Sequence, residues 1–387
     1  MGKSKDADVV LWGWYRVGPL PDSVRATVQF EIVGDPKELK IPQRREDIYS
    51  TSTPRTFAWR LADEVQHVVL ATLGYAHFNR GAISDAIRFY EKAIKSQRPE
   101  GVPNTLYFPH HFLKGIALQK KGKFAKSITS YDRALEIDST HALAWNNLGV
   151  SQSEQGKLEK AITSYDRALE IDSTHALAWT NRGIAQSEQG KLDEAIASYN
   201  HALEIDSSHA NTWYTLGDAL EEQGKLEEAI ESYNRALEID SCHVNALYNR
   251  GLTLSEQGKW EEAIASYNQV LEIDSTDVLT WGARGNTLSE QGKLDEAIRS
   301  YNRALEIDST HAMAWTNRGI ALSEQGKLEE AIESYSRALE IDSSLAGAWA
   351  HRGLVLYEIG KKGAAVQNVD RACKLERTYC GPYPWEN

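Results

Sequence analysis

Residues 142–175 read ALAWNNLGVSQSEQGKLEKAITSYDRALEIDSTH, and a near-copy begins at once at Ala176. The same text returns, always 34 residues on, from Ala210, Val244, Val278 and Ala312. A period of this size is typical of proteins that stack one small unit many times over. The stretch therefore predicts a repeat array rather than a single globular core.

Each unit has the pattern of two helices. Apolar and small residues recur at three- and four-residue steps, first around Trp145 and Leu148 and then from Leu158 to Ile171. Gly156 stands between the two halves, where a left-handed residue ends a helix. Helices of about 13 residues are marginal alone in water. We therefore expect each pair to be stabilised by its neighbours in the stack.

Local features predict how the helices pack and begin. Gly149 is expected to leave room for a facing backbone, with Trp145 and Tyr165 filling the space between helices. Ser173 and Thr174 are expected to cap the first helix of the following unit.

The unit resembles the tetratricopeptide repeat, whose signature has Trp, Leu, Gly, Tyr, Ala, Phe, Ala and Pro at set places. The residues that match in one copy are Trp145, Leu148, Gly149, Ala161, Tyr165 and Ala168. The resemblance implies an all-α, right-handed superhelical solenoid of helix-turn-helix repeats. We count about nine repeats, preceded by a small strand-containing N-terminal segment.

Two departures from the family pattern are systematic. Serine replaces the late proline, as at Ser173, and arginine replaces the leucine beside the glycine in most copies, as at Arg182 and Arg284. We expect serine to keep the turn and the arginine to extend to a carboxylate or to solvent.

The sequence also predicts the domain boundaries. Residues 1–62 do not repeat and contain two strand-like runs, at 9–17 and 24–33, that predict either a small cap or a docking piece. Residues 63–379 form the array, with a divergent first copy at 66–97, regular copies over 108–345 and a divergent last copy at 346–379. Residues 380–387 are a tail that leaves the last repeat either as its own cap or as an end that another chain covers.

Composition excludes several partners. Lysine and arginine number 43 against 55 aspartates and glutamates, a net charge of −12, which disfavours nucleic acid and anionic membranes. No apolar run approaches the length of a membrane span, and no leader or myristoylation pattern opens the chain. The three cysteines form no evident framework, which favours a reducing compartment. We therefore predict a cytoplasmic protein.

Catalytic and metal chemistry is not indicated. The histidines recur at one corner of each unit, as at His141 and His175, and neighbouring helices lie about 8–10 Å apart, too far for shared coordination. We expect these histidines to cap or cover the turn. No phosphate loop or nucleophile elbow is present. The prediction is no enzyme, no metal and no cofactor.

The groove that the first helices line is the better candidate site, because the resemblance implies that it holds a peptide. An asparagine ladder stands before the Leu/Arg–Gly pair, and a carboxamide can both donate to and accept from a peptide bond. The alternative is that these asparagines satisfy polar groups between helices, or were simply copied. The ladder and its neighbours comprise Asn147, Asn181, Asn249, Asn286 and Asn317.

Variation between copies singles out the middle of the array. Polar and aromatic residues gather there, and tyrosines make good interface anchors. These residues are Asn211, Tyr214, Asp218, Glu221, Asn245 and Tyr248. We predict a ligand segment across residues 210–277, with a basic residue meeting Asp218 and Glu221. Acidic tails are disfavoured in this groove, because it lacks the required cations.

The sequence thus predicts a protein-interaction scaffold that binds a peptide segment or a partner surface in the groove. The alternative is a sensor or regulatory subunit that docks an effector enzyme through residues 1–62. Self-association through the C-terminal repeat is a third prediction. The sequence does not name the partner.

Overall fold

The computed structural model describes residues 8–17, 24–33, 63–96 and 104–381. The chain divides into two compact units, residues 1–171 and 172–387. In the first unit, the backbone of Asp8–Val17 (β1) pairs antiparallel with Val24–Val33 (β2), with Asp8 opposite Val33. The residues between the two strands, the rest of the N-terminal segment and the end of the tail lie outside the described residues.

Three helical pairs follow in the first unit. Their helices are α1 (Asp63–Asn79), α2 (Ile83–Lys95), α3 (Phe108–Lys120), α4 (Phe124–Ile137), α5 (Ala142–Ser153) and α6 (Leu158–Ile171). A 3₁₀ turn, Asn104–Tyr107, precedes α3. It lies within the proline-containing insertion, whose other residues, 98–103, are outside the described range.

The second unit contains six pairs. Its helices are α7 (Ala176–Ser187), α8 (Leu192–Ile205), α9 (Ala210–Glu222), α10 (Leu226–Ile239), α11 (Val244–Glu256), α12 (Trp260–Ile273), α13 (Val278–Glu290), α14 (Leu294–Ile307), α15 (Ala312–Glu324), α16 (Leu328–Ile341), α17 (Ala346–Glu358) and α18 (Lys362–Leu375). Each helix packs on the next along the chain within the unit. The predicted all-α repeat array is confirmed over residues 63–96 and 104–381.

Glycine ends the first helix of every pair, as the sequence predicts. Gly156, Gly190 and their equivalents have φ between +69° and +83°, a conformation that other residues adopt at a cost. The sharp turn that results lets the second helix run back along the first.

A tyrosine ring fills the space beside the helical glycine, not a backbone as the sequence suggested. A Cβ built on Gly149 would lie 2.5 Å from Cε1 of Tyr165. In the second unit Gly285 has the same relation to Tyr301, at 2.5 Å. Tyr165 and Tyr301 are each 2 % exposed. The glycine and the tyrosine are therefore one packing unit, and in the last repeat Val369 takes the place of the tyrosine beside Gly353.

At Arg284 and Arg318 the arginine beside the glycine donates to neutral side-chain oxygens, whereas the sequence predicts a carboxylate or solvent. Arg284 donates from Nε to Asn268 Oδ1 (2.8 Å) and from Nη1 to Ser300 Oγ. Arg318 makes the same contacts with Asn302 and Ser334. The guanidinium spans two successive second helices because its long stem carries it past both, and these helices present neutral oxygens at that height.

The backbone carbonyl of the serine that replaces proline accepts a hydrogen bond from the tryptophan of the following repeat. Trp281 Nε1 donates to the carbonyl of Ser275 (3.0 Å), and Trp315 does so to Ser309 (3.0 Å). The indole thus satisfies a carbonyl at the end of the preceding helix, one of the groups a helix leaves unpaired.

The expected serine and threonine caps are wrong. Thr174 instead bonds the Asp172 carboxylate with its amide and its hydroxyl (3.0 and 2.7 Å). Those bonds lower the pKa of Asp172. The cap falls one residue later: the Nδ1 atoms of His243 and His311 accept from the amides of Ala246 and Ala314. Capping by histidine is thereby confirmed at these positions and at His141.

The end of the array differs from the expectation that no cysteines pair. A 3₁₀ turn at Arg377–Tyr379 brings Cys380 back to Cys373, and the two form a disulfide with Cα atoms 4.7 Å apart. Cys242 is free and exposed. The reducing compartment and the cytoplasmic location stay predictions.

Candidate functional site

The first helices of consecutive repeats adjoin one another directly in the second unit. We call the surface formed by α7, α9, α11, α13, α15 and α17 the first-helix face. It corresponds to the groove that the sequence singles out.

Two carboxylates converge on one tyrosine on this face. Tyr233 Oη lies 2.9 Å from Asp218 Oδ1 and 2.7 Å from Glu221 Oε2. Asn249 Nδ2 donates to the same Asp218 oxygen at 2.8 Å. We call Asp218, Glu221, Tyr233 and Asn249 the acidic cluster. A phenol has one proton, so it cannot donate to both carboxylates at once.

The surroundings concentrate negative charge in a half-buried place. Burial, followed by the charge of Asp218, raises the pKa of Tyr233 well above its usual range. Burial and a hydrogen bond to Asp218 raise the pKa of Tyr214 in the same direction. The Tyr214 ring lies 6.2 Å from that of Tyr233. Both hydroxyls therefore stay neutral and act as donors beside the carboxylates.

The same arrangement recurs two repeats later without charge. Asn286 Oδ1 accepts from Tyr301 Oη (2.8 Å) and from Asn317 Nδ2 (2.9 Å). Asn286 occupies the slot of Asp218, and Asn317 that of Asn249. In both places the ladder asparagine donates from its amide group to the neighbouring repeat, and Asn249 also has a hydrogen bond with Tyr214.

An open cleft of about 510 Å³ lies beside this second arrangement. It is bounded by α11, α13 and α15. The side chains that matter to its chemistry are Tyr248, Leu252, Leu279, Asn286, Met313 and Asn317. Leu279 is 62 % exposed and Met313 51 % exposed. The cleft thus presents apolar side chains to solvent between polar ones.

The structure distributes the predicted site residues over several places. Tyr248, Asn286 and Asn317 line the cleft, whereas Tyr214, Asp218, Glu221 and Asn249 belong to or adjoin the acidic cluster. Asn211 Oδ1 lies 2.8 Å from His243 Nε2. Asn245 is exposed and Asn181 is half-buried on the same face.

Asn147 lies in the first unit. Its Oδ1 is 3.3 Å from Asn146 Nδ2, and a hydrogen bond with Asn147 lowers the pKa of Tyr131 against the larger, opposite effect of burial. The asparagine therefore satisfies groups between neighbouring helices, which is the alternative role considered for the ladder.

Sequence reasoning missed the apolar part of the cleft. Leu252, Leu279 and Met313 are not among the residues that the sequence predicts for the site. The signal was a leucine or methionine at the exposed start of a first helix, where the adjacent copies have asparagine at 211 and 245.

Two further observations bear on chemistry. Among the described residues, no three His, Cys, Asp or Glu side chains lie close enough together to hold a metal ion. In the same part of the chain, no helix combines the length and apolar character needed to span a bilayer.

Family models described as tetratricopeptide repeats match most of the array. One matches overlapping stretches from 107 to 276, a second matches 285–326 and 321–360, and a third matches 266–299. No curated protein sequence is significantly similar to the chain.

Known structures share the fold. The C-terminal part of a repeat protein from Cytophaga hutchinsonii is 14 % identical, with a TM-score of 0.54, covering 62 % of this chain and 98 % of that one. A repeat protein from Parabacteroides merdae is 22 % identical (TM-score 0.49; 64 % and 95 % covered). YrrB, described as having an unusual peptide-binding site, is 25 % identical (TM-score 0.43; 48 % and 95 % covered).

Proposed function

The chain belongs to the tetratricopeptide repeat family, and from that premise we propose that this protein-interaction scaffold binds a basic peptide segment on its first-helix face. The observation that carries the proposal is the acidic cluster, where Asp218 and Glu221 share one hydroxyl proton. A lysine or arginine of the ligand supplies the missing positive charge and donors.

The cleft provides the second half of the interaction. It begins at Tyr248 on α11, the helix that also carries Asn249 of the acidic cluster. A segment whose basic residue meets Asp218 can therefore continue with apolar residues over Leu279 and Met313. Burying those exposed side chains favours binding by about 25 cal/mol per Å².

The ladder asparagines would then position the ligand backbone. A carboxamide oxygen has two lone pairs, so those of Asn249 and Asn317 can accept from a peptide N–H, while their amide groups stay on Asp218 and Asn286. The sequence predicts that each ladder carboxamide both donates to and accepts from a peptide bond. In the arrangement proposed here only its oxygen contacts the ligand.

The test uses the full chain and two synthetic peptides of alternating leucine and arginine or leucine and citrulline. Wild-type protein should bind the arginine peptide more tightly, and Asp218→Asn with Glu221→Gln should weaken it by about tenfold or more. Glu231→Gln, an exposed residue of the same repeat, is the control. Equal binding of both peptides rejects the basic ligand.

Alanine at Tyr214, Asp218 and Tyr248 tests the placement on this face. Unchanged affinity in all three variants for a ligand that binds the wild type would move the site elsewhere.

The remaining expectations stay proposals. These are the absence of catalysis, self-association through the last repeat, the right-handed course of the array and the role of residues 1–62. Deleting residues 1–62 separates a groove binder, which keeps its partner, from a docking subunit, which loses it.

A further inference from the structure

A second groove lies on the opposite side of the repeats from the first-helix face. It runs between α12 and α14, is floored by Trp281 and Arg284 of α13, and encloses about 650 Å³. Asn268, Arg299, Asn302 and Arg303 also line it. We call it the outer groove.

Arg284 is a half-buried cation whose described hydrogen-bond partners are all neutral. Its Nε and Nη1 donate to Asn268 and Ser300, and its Cζ lies 5.7 Å from the centroid of the Trp281 ring. No ion pair of Arg284 occurs within the described residues of this unit. Burial lowers the pKa of the guanidinium, and the nearby Arg299 acts in the same direction, opposed by Glu296.

Comparison with Arg250 shows that Arg284 has one N–H donor group more than its hydrogen bonds use. Arg250 occupies the same slot one repeat earlier and uses three groups, with Nη2 donating to Gln269 Oε1 at 3.2 Å. The residue equivalent to Gln269 beside Arg284 is Arg303, which accepts no hydrogen bond. Arg303 is instead paired with Glu306. The Nη2 group of Arg284 therefore faces the groove without the acceptor that Arg250 has.

Arg299 makes this groove different from its neighbours. The equivalent positions in the second unit carry Ala197, Glu231, Ala265, Glu333 and Gln367. Arg299 is exposed on the wall of the groove. The next repeat, which has Arg318 in the slot of Arg284, has Glu333 in that place.

The charges of the lining favour an anion. Three arginines, Arg284, Arg299 and Arg303, line the groove together with Glu272 and Glu306, an excess of one positive charge among the lining residues that is reduced by Glu296 nearby. That excess suits a carboxylate, which carries one negative charge, better than a phosphate monoester, which carries nearly two. Arginine forks also match the planar carboxylate.

We propose that the outer groove binds an aspartate or glutamate side chain of an acidic polypeptide segment, held between Arg284 and Arg299 over Trp281. The groove is open along its length, so an extended chain can enter it. This goes beyond the proposed function, because it concerns another surface and a ligand of opposite charge.

The experiment measures binding of two dye-labelled peptides, alternating glutamate with glycine or glutamine with glycine, to the full chain by fluorescence anisotropy. The glutamate peptide should bind more tightly. Arg299→Glu, which installs the residue found at 231 and 333, should weaken it by about tenfold or more. Arg303→Gln offers Arg284 the acceptor that Arg250 has, and should also weaken binding.

Arg235→Gln is the matched control, since its repeat has Leu216 at the arginine slot. It should leave the affinity unchanged. Binding of both peptides alike, or equal losses in Arg299→Glu and Arg235→Gln, would overturn the proposal. Free glutamate competing as strongly per molecule as the peptide would overturn the polypeptide ligand. Variants at Asp218 and Glu221 should not affect this binding, so the two proposals fail separately.

Discussion

At the residue scale, packing depends on pairs of side chains that the repeat keeps together. Gly285 and Gly282 lie in the same helix, α13, but only Gly285 faces a ring. Nothing lies within 4 Å of a Cβ built on Gly282, whereas one on Gly285 would meet Tyr301 at 2.5 Å. The two glycines therefore serve different purposes, although both are helical.

Gly285→Ala should destabilise the second unit by about 1–3 kcal/mol, because the fully packed Tyr301 ring must move. Gly282→Ala should instead stabilise it by about 0.5–1 kcal/mol, since alanine is the better helix former. Urea unfolding followed by circular dichroism measures both. Equal effects would contradict the tight contact.

Sequence periodicity identified the glycine and tyrosine slots but not their mutual contact, and it did not identify the partners of Arg284. A 34-residue repeat shows which slot Arg284 fills. Its partners, Asn268 and Ser300, lie 16 residues away on either side, on two different helices. Only the packing of those helices brings the three together.

At the element scale, the helix ends were easier to predict than the helix starts. Glycine ends a helix by its own backbone freedom, so the residue alone is diagnostic. A start depends on which nearby side chain reaches the free amides. Here the Asp172 carboxylate accepts hydrogen bonds from the amide and hydroxyl of Thr174, so Thr174 does not cap the helix. The N-cap position is that of His175.

The N-cap residue of α13, Asp277, gives the clearest test of capping at this position of the repeat. Asp277 Oδ1 accepts from the amides of Leu279 and Thr280 (3.0 and 3.3 Å), whereas His175 caps no amide with its side chain. Asp277→Ala should lower the free energy of unfolding by about 1 kcal/mol. His175→Ala, at the equivalent position of α7, should have a smaller effect on the urea midpoint. A larger loss from His175→Ala would contradict the assignment of the cap.

At the scale of the whole molecule, the repeat period predicted the helical array almost completely, because each repeat is stabilised by the repeats beside it rather than by distant sequence. Variation between the copies predicted Asp218 and Glu221 as site residues, but not their shared contact with Tyr233, and it did not predict the outer groove. The acidic cluster and the outer groove arise where single residues, Asp218 and Arg299, depart from the repeat pattern and lie near side chains of adjacent repeats. The first unit holds a third departure, a buried aromatic cluster around His110.

His110 is 4 % exposed and His67 2 % exposed, and neither ring has a hydrogen-bond partner within the described part of the chain. Their centroids are 5.5 Å apart, and each lies within 5.5 Å of the Tyr107 ring. Burial, then the charges of His67 and His111, lowers the pKa of His110 to about 4. Burial also lowers the pKa of His67.

These shifts predict that acid destabilises the first repeats. An unfolded histidine takes up a proton near pH 6.5, but native His110 stays neutral until about pH 4. The unfolded state then binds more protons, so stability is full above about pH 6.5 and falls as the pH drops towards 4, by about 3 kcal/mol for His110. Hydrogen exchange of α1 and α3 should accelerate across this window. His110→Phe should flatten the dependence, whereas His201→Phe, at an exposed position, should not. Exchange rates that rise equally in the His110→Phe variant would contradict this origin of the acid sensitivity.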